Sequence, residues 1–221
     1  MSAPEEGKGK KLVFIGDSGV GKTCIISRFI KGIFEENTPS TGANYATKTI
    51  EIPEIKDYFS FDIWDTAGQE RYKSLTKFFF QGAKMAILVY DITRKESFDN
   101  LKKDWYPLLK EHGEPNIVLA IAGNKSDLYD DEAVPEQEAR DFAKSIGAIF
   151  SLTSAQNNSG INELFKNLAK KFLNIDEPGV QNQIQKPQPK PVQKEEPQNI
   201  KIGKKDVAKK NEEQKKKKGF C

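Results

Sequence analysis

Only two cysteines occur in the 221 residues, Cys24 and the last residue, Cys221. Two thiols set up no disulfide framework, and a reducing compartment fits. The N-terminus has no apolar core of a secretory signal, so the glycosylation-pattern matches at Asn124-Lys-Ser and Asn157-Asn-Ser are read as chance. Long apolar runs are missing too. The longest, around Met85–Tyr90, falls far short of the roughly 20 residues a membrane-crossing helix needs. No internal repeat is visible. Apolar residues make up only 37% of the chain, and the net charge is only +3.

Both averages hide two unlike parts. Residues 11–174 hold apolar runs such as Met85–Tyr90 and Ile117–Ala122 and can bury a core. Residues 175–221 are mostly Lys, Gln, Glu, Pro and Asn; burial there cannot offset the ordering entropy, which predicts disorder. Pro178, Pro187, Pro189, Pro191 and Pro197 make this an extended linker, not a second domain. The basic excess also sits there, from Lys201 to the run Lys215–Lys218. It therefore speaks of the tail's partner and not of the domain's, and nucleic acid is not an expected partner.

The first part reads as strands alternating with helices. Short apolar strands are expected over Lys11–Asp17, Thr47–Ile52, Tyr58–Asp65, Ala83–Asp91, Asn116–Gly123 and Ala148–Thr153. Helical spacing marks Lys22–Lys31, stopped by Gly32, then Ser97–His112, Pro135–Gly147 and Gly160–Leu173. This alternation predicts an α/β fold: a mostly parallel central sheet of about six strands, helices on both faces, and one antiparallel edge pair within Thr47–Asp65.

Gly16-Asp-Ser-Gly-Val-Gly-Lys-Thr23 matches the phosphate-loop pattern G-x-x-x-x-G-K-[ST], between a strand and a helix as the pattern requires. Gly16, Gly19 and Gly21 let the backbone turn tightly and aim N–H groups at phosphate oxygens. The helix start after them favours an anion. Lys22 is placed to reach the β- and γ-phosphates, and the Thr23 hydroxyl to ligate Mg²⁺. A P-loop NTPase follows, but the loop does not name the base.

Three further segments follow the loop in register: Asp65-Thr-Ala-Gly-Gln69, Asn124-Lys-Ser-Asp127 and Thr153-Ser-Ala155. With them residues 8–174 resemble a small GTPase domain of the Ras superfamily, with 175–221 as its hypervariable tail. The resemblance implies GTP/GDP and Mg²⁺ as ligands. It implies nucleotide contacts at Ser18, Gly19, Val20, Gly21, Lys22, Thr23, Cys24, Phe34, Ser40, Gly68, Asn124, Lys125, Asp127, Ser154 and Ala155. An Asp carboxylate accepts two hydrogens from guanine N1 and N2, a donor pair adenine lacks. The Lys125 stem can cover one face of the base. Ala155 matches the residue whose N–H meets guanine O6, and Phe34 the aromatic edge-on over the base. Thr23, Ser40 and Asp65 are the implied metal ligands. Gln69 and Lys22 are the implied catalytic residues, Gln69 orienting the attacking water. Two departures stand out. Ser40-Thr41-Gly42 replaces the usual Thr-Ile-Gly, so Ser40 takes the metal-binding position, with Thr41 the alternative one residue on. Gln156 replaces the usual Lys after Ser-Ala.

Trp64-Asp-Thr-Ala-Gly-Gln-Glu-Arg-Tyr72, Lys48-Thr49-Ile50 and Tyr90-Asp-Ile-Thr93 resemble the Rab family. Tyr45, Trp64 and Phe79 fall on the three positions of the Rab effector patch, and at least one of Phe78–Phe80 is expected in the core. There is neither a Rho-type insertion before Pro135 nor an acidic tail of the nuclear-transport type. The polybasic run before Cys221 fits a lipid-accepting cysteine on an anionic membrane, one chain plus one basic patch, although nothing follows Cys221 to make a C-a-a-X box. The implied function is a slow GTP-hydrolysing switch in vesicle traffic, on the cytoplasmic face of intracellular membranes. Its implied partners are an exchange factor, a GTPase-activating protein, effectors and an escort or GDI-type chaperone. The alternatives are a GTP-binding adaptor that hardly cycles, motivated by Ser40, and another signalling GTPase of the superfamily. An ATP-using enzyme is disfavoured by Asn124–Asp127.

Overall fold

A computed structural model describes residues 9–34, 44–65 and 78–175. These lie in the first of the two units into which the chain divides, Met1–Ile184, and the second, Gln185–Cys221, lies outside the described residues. So do Ser40, Thr41, Gly68 and Gln69.

Six strands form one sheet: β1 (Lys10–Ile15), β2 (Asn44–Ile52), β3 (Asp57–Asp65), β4 (Met85–Asp91), β5 (Val118–Asn124) and β6 (Ile149–Leu152). Their order is β2-β3-β1-β4-β5-β6. Only β2 and β3 run antiparallel. The connection decides this: the turn at Pro53–Lys56 is closed by Ile55 N–H on Ile52 O at 3.1 Å and Lys56 N–H on Pro53 O at 3.2 Å, whereas a parallel pairing needs a crossover of a dozen residues or more.

Alternate residues of the central strands face two separate cores, as a period of two requires. Leu12, Phe14, Ile87 and Val89 point to the first, with Ile25 and Phe29 of α1 (Lys22–Lys31). Val13, Ile15, Leu88 and Tyr90 point to the second. That face is covered by α2 (Lys95–Asn100), a π-helical turn (Leu101–Trp105), α3 (Tyr106–His112) and α4 (Glu136–Ser145). The last helix, α5 (Ile161–Phe172), returns to the first face, where Phe165 stacks on Phe29 with ring centroids 3.5 Å apart. Covered on both sides, β4 is buried at every position, which is why it reads as an unbroken apolar run.

The expected helix over Ser97–His112 instead begins at Lys95 and contains the π turn. The expected first strand stops at Ile15 and not at Asp17, because Gly16 leaves extended geometry at φ 145°.

The Tyr90 hydroxyl is buried with no hydrogen-bond partner among the described residues, and burial pushes its pKa up. An unsatisfied buried donor costs about 1–3 kcal/mol. Tyr90→Phe is therefore expected to melt at the same temperature as the parent or higher, in a thermal scan of the GDP-loaded protein; a clear fall would show that the hydroxyl is paired.

Candidate functional site

Parallel registry brings the carboxyl ends of four strands to one edge. Phe14 of β1 lies opposite Asp65 of β3, and Asp91 of β4 opposite Asn124 of β5. Such an edge is where ligands bind in open α/β sheets.

The phosphate loop leaves β1 here. Gly16 passes so close to β4 that a Cβ would meet Val89 O at 2.2 Å, and at Gly21 (φ 94°) one would meet the Asn124 amide nitrogen at 2.2 Å. A side chain fits neither place. Lys22 is 5% exposed. Its ammonium donates to Gly16 O at 2.7 Å and Asp17 O at 2.6 Å, so it is held under the loop. Gly19 is exposed at the loop's tip and Val20 is buried beneath it. Cys24 packs partly against the first core.

Next to Lys22, Thr23 Oγ1 donates to Asp65 Oδ2 at 2.7 Å. Asp65 is 2% exposed and its Oδ1 has no hydrogen-bond partner among the described residues. Burial pushes this carboxyl up, against the downward pull of the Thr23 hydroxyl and the Lys22 charge. An ionisable oxygen kept dry and unpaired beside a hydroxyl oxygen suits a hard divalent cation that takes few protein ligands.

The segment after β5 is tied to the phosphate loop. Asn124, which ends β5 rather than following it, is 2% exposed. Its Nδ2 donates to Val20 O at 2.8 Å and its Oδ1 accepts from Thr153 Oγ1 at 3.2 Å. Lys125 adopts the left-handed region at φ 66°, uncommon for a residue with a side chain. Its ammonium ion-pairs with Asp91 Oδ2 at 2.6 Å. Burial raises the Asp91 carboxyl, but the bonds from Lys125 and Thr93 outweigh it and hold it below its ordinary value. Asp127 is half-buried and accepts the Ser154 hydroxyl proton. Ser154 in turn accepts the Asn157 N–H at 3.2 Å. Ala155, 4% exposed, has its carbonyl held by Arg28. Phe34 is 38% exposed, with the Arg28 guanidinium 6.0 Å from its ring centre.

Several anchoring residues were not among the sequence expectations. Asp17 accepts from Trp105 Nε1 at 2.6 Å and from Asn100 Nδ2 at 2.8 Å. Residues five apart on an α-helix stand about 140° apart; the π turn, with Tyr106 N–H bonded to Leu101 O, rotates the two onto one side. Arg94 donates to Ser18 O at 2.9 Å and pairs with Asp91 at 3.4 Å. The strand-end motif Tyr90-Asp-Ile-Thr93 was the only local signal for Asp91; nothing local pointed to Arg28, Arg94 or Trp105.

One residue back along the strands from Asp65, Tyr45 and Trp64 pair across β2 and β3, and Phe79 joins them. Ring centres are 5.4 Å apart for Tyr45–Trp64 and 6.3 Å for Trp64–Phe79. Tyr45 is 57% exposed, and its hydroxyl donates to Asp62 at 2.9 Å. Of the neighbouring run, Phe80 is core and Phe78 is exposed. No described helix is long and apolar enough to cross a membrane.

The model of the Ras family matches residues 11–174. Human Ras-related protein Rab-22A is 47% identical over 167 residues, 75% of this chain and 84% of its own. Human Ras-related protein Rab-31 gives the same figures. Mouse Rab-31 is 48% identical over 163 residues, 73% of this chain and 82% of its own.

Proposed function

The chain belongs to the Ras family, in its Rab branch, and is a GTPase that works as a switch in membrane trafficking; from that premise we propose how its own residues divide the work. One arrangement carries the proposal: Lys22, Thr23 and Asp65 meet at the edge where the phosphate loop leaves the sheet. Lys22 faces the β- and γ-phosphates. The contacts to Gly16 O and Asp17 O support this, since they aim the ammonium without neutralising it. Asp127 reads guanine N1 and N2, with Ser154 fixing its carboxylate, and the Ala155 N–H reads O6. Phe34 and the Lys125 stem flank the base.

Thr23, Asp65 and Ser40 hold Mg²⁺, which when bound offsets phosphate charge. Gln69 orients a water for in-line attack on the γ-phosphorus; the bond to the β–γ bridging oxygen breaks, and GDP and phosphate leave. Loss of the γ-phosphate releases the segments around Ser40 and Gly68. Exchange factors, activators and effectors are the partner classes of Rab proteins. Effector recognition falls to Tyr45, Trp64 and Phe79. The tail carries a lipid on Cys221, presented to an anionic membrane and an escort chaperone.

The test is single-turnover hydrolysis of bound GTP. Gln69→Leu is expected to slow it about tenfold or more while GTP affinity stays within about threefold. Unchanged hydrolysis would remove Gln69 from the reaction; the adaptor that hardly cycles is favoured instead if the parent itself releases little phosphate with an activator and exchanges nucleotide slowly.

A further inference from the structure

Arg28 lies on α1, yet its bonds leave that helix. Nε donates to Ala155 O at 2.7 Å, Nη2 to Gln156 O at 2.8 Å and Nη1 to Gly32 O at 2.8 Å. Its guanidinium carbon lies over the Phe34 ring, 6.0 Å from the ring centre. One planar fork thus joins the end of α1, two successive peptides of the loop after β6, and the aromatic that begins the next segment. Fixing the Ala155 and Gln156 carbonyls fixes the peptide planes that follow the Ala155 N–H, and so constrains where that N–H points. A lysine could satisfy one of these carbonyls but cannot present the fork. Elsewhere this loop is held by Ser154 N–H on Ser159 O at 3.0 Å and by the bonds around Ser154. Gln156 is itself exposed, so its carbonyl bond to Arg28 is a connection its own side chain does not supply.

We propose that Arg28 is a positioning residue for the guanine base: it aims the Ala155 N–H at O6 and thereby sets how long the nucleotide stays bound. This rests on Asp127 and Ala155 being the guanine-reading groups.

The experiment measures nucleotide release from the full chain, with GDP and with the 2-aminopurine riboside diphosphate, which lacks O6 and also the N1–H that Asp127 reads, so each nucleotide's release from a variant is compared with its own release from the parent. Arg28→Met keeps the apolar stem and removes the fork. It is expected to speed GDP release about tenfold, to change release of the O6-free nucleotide less than about twofold, and to leave single-turnover hydrolysis within about twofold. Arg28→Lys is expected to fall between parent and Arg28→Met, and it carries the test if Arg28→Met does not fold. Equal acceleration for both nucleotides would make Arg28 merely structural and overturn the proposal; so would unchanged GDP release. Asp127→Asn runs in parallel. If it speeds GDP release while the Arg28 variants do not, this inference alone falls. If it has no effect either, the guanine-site reading falls and takes the inference with it.

Discussion

Lys22→Ala is expected to lower GTP affinity about 10²- to 10⁴-fold. The ammonium is 5% exposed and held by two loop carbonyls, so its position is set before any phosphate arrives and little entropy is lost on binding. A hydrogen bond to a charged group contributes roughly 1.5–3 kcal/mol, and Lys22 is aimed at two phosphate groups; each 1.4 kcal/mol is a factor of about ten. Titration with a fluorescent GTP analogue measures it. An affinity within about tenfold of the parent would mean that Lys22 does not touch the phosphates. Gly16 O and Asp17 O would lose their partner at a buried and a part-buried position, at a cost of about 1–3 kcal/mol each, so a thermal scan of the variant checks that it still folds.

Asn124→Ala is expected to act on both stability and retention. Asn124 is 2% exposed and satisfied on both ends of its amide, by Val20 O and by the Thr153 hydroxyl. Truncation leaves a buried carbonyl and a buried hydroxyl short of a partner, about 1–3 kcal/mol of cost. A chain of this size loses about 2–4 °C of melting temperature per kcal/mol, so a fall of roughly 2–12 °C is expected. Because the same amide ties the phosphate loop to the base-reading segment, GDP release should also rise about tenfold or more. Calorimetry and nucleotide-release kinetics read the two effects separately. A normal melting temperature with fast release would make Asn124 a ligand contact only; a lowered melting temperature with normal release would make it structural only.

The reach of these two residues marks what sequence could reveal. Lys22 belongs to a motif whose spacing has a local cause: one tight turn and one helix start place it. Asp65 and Asn124 were also legible, because each ends an apolar run, and a strand's end is visible in hydrophobic pattern. The parallel sheet and its single antiparallel pair followed from the same alternation and from the short link at Pro53–Lys56. Thr23 and Asp65, 42 positions apart, were expected as partners through resemblance alone.

The sequence by itself therefore determined the order of strands and helices, the family, and the phosphate- and guanine-reading segments, since each depends on residues within a few positions of one another. Tertiary structure alone decided how those segments are held. Asp17 meets Trp105 across 88 positions, Val20 meets Asn124 across 104, and Arg28 meets Ala155 across 127. Each bond exists because the sheet order β2-β3-β1-β4-β5-β6 brings distant strand ends to one edge, and the Asp17 contact also needs a π turn to rotate Asn100 and Trp105 onto one side. Hydrophobic period says which face of a strand is buried; it says nothing of which side chain will stand next to a loop a hundred residues away.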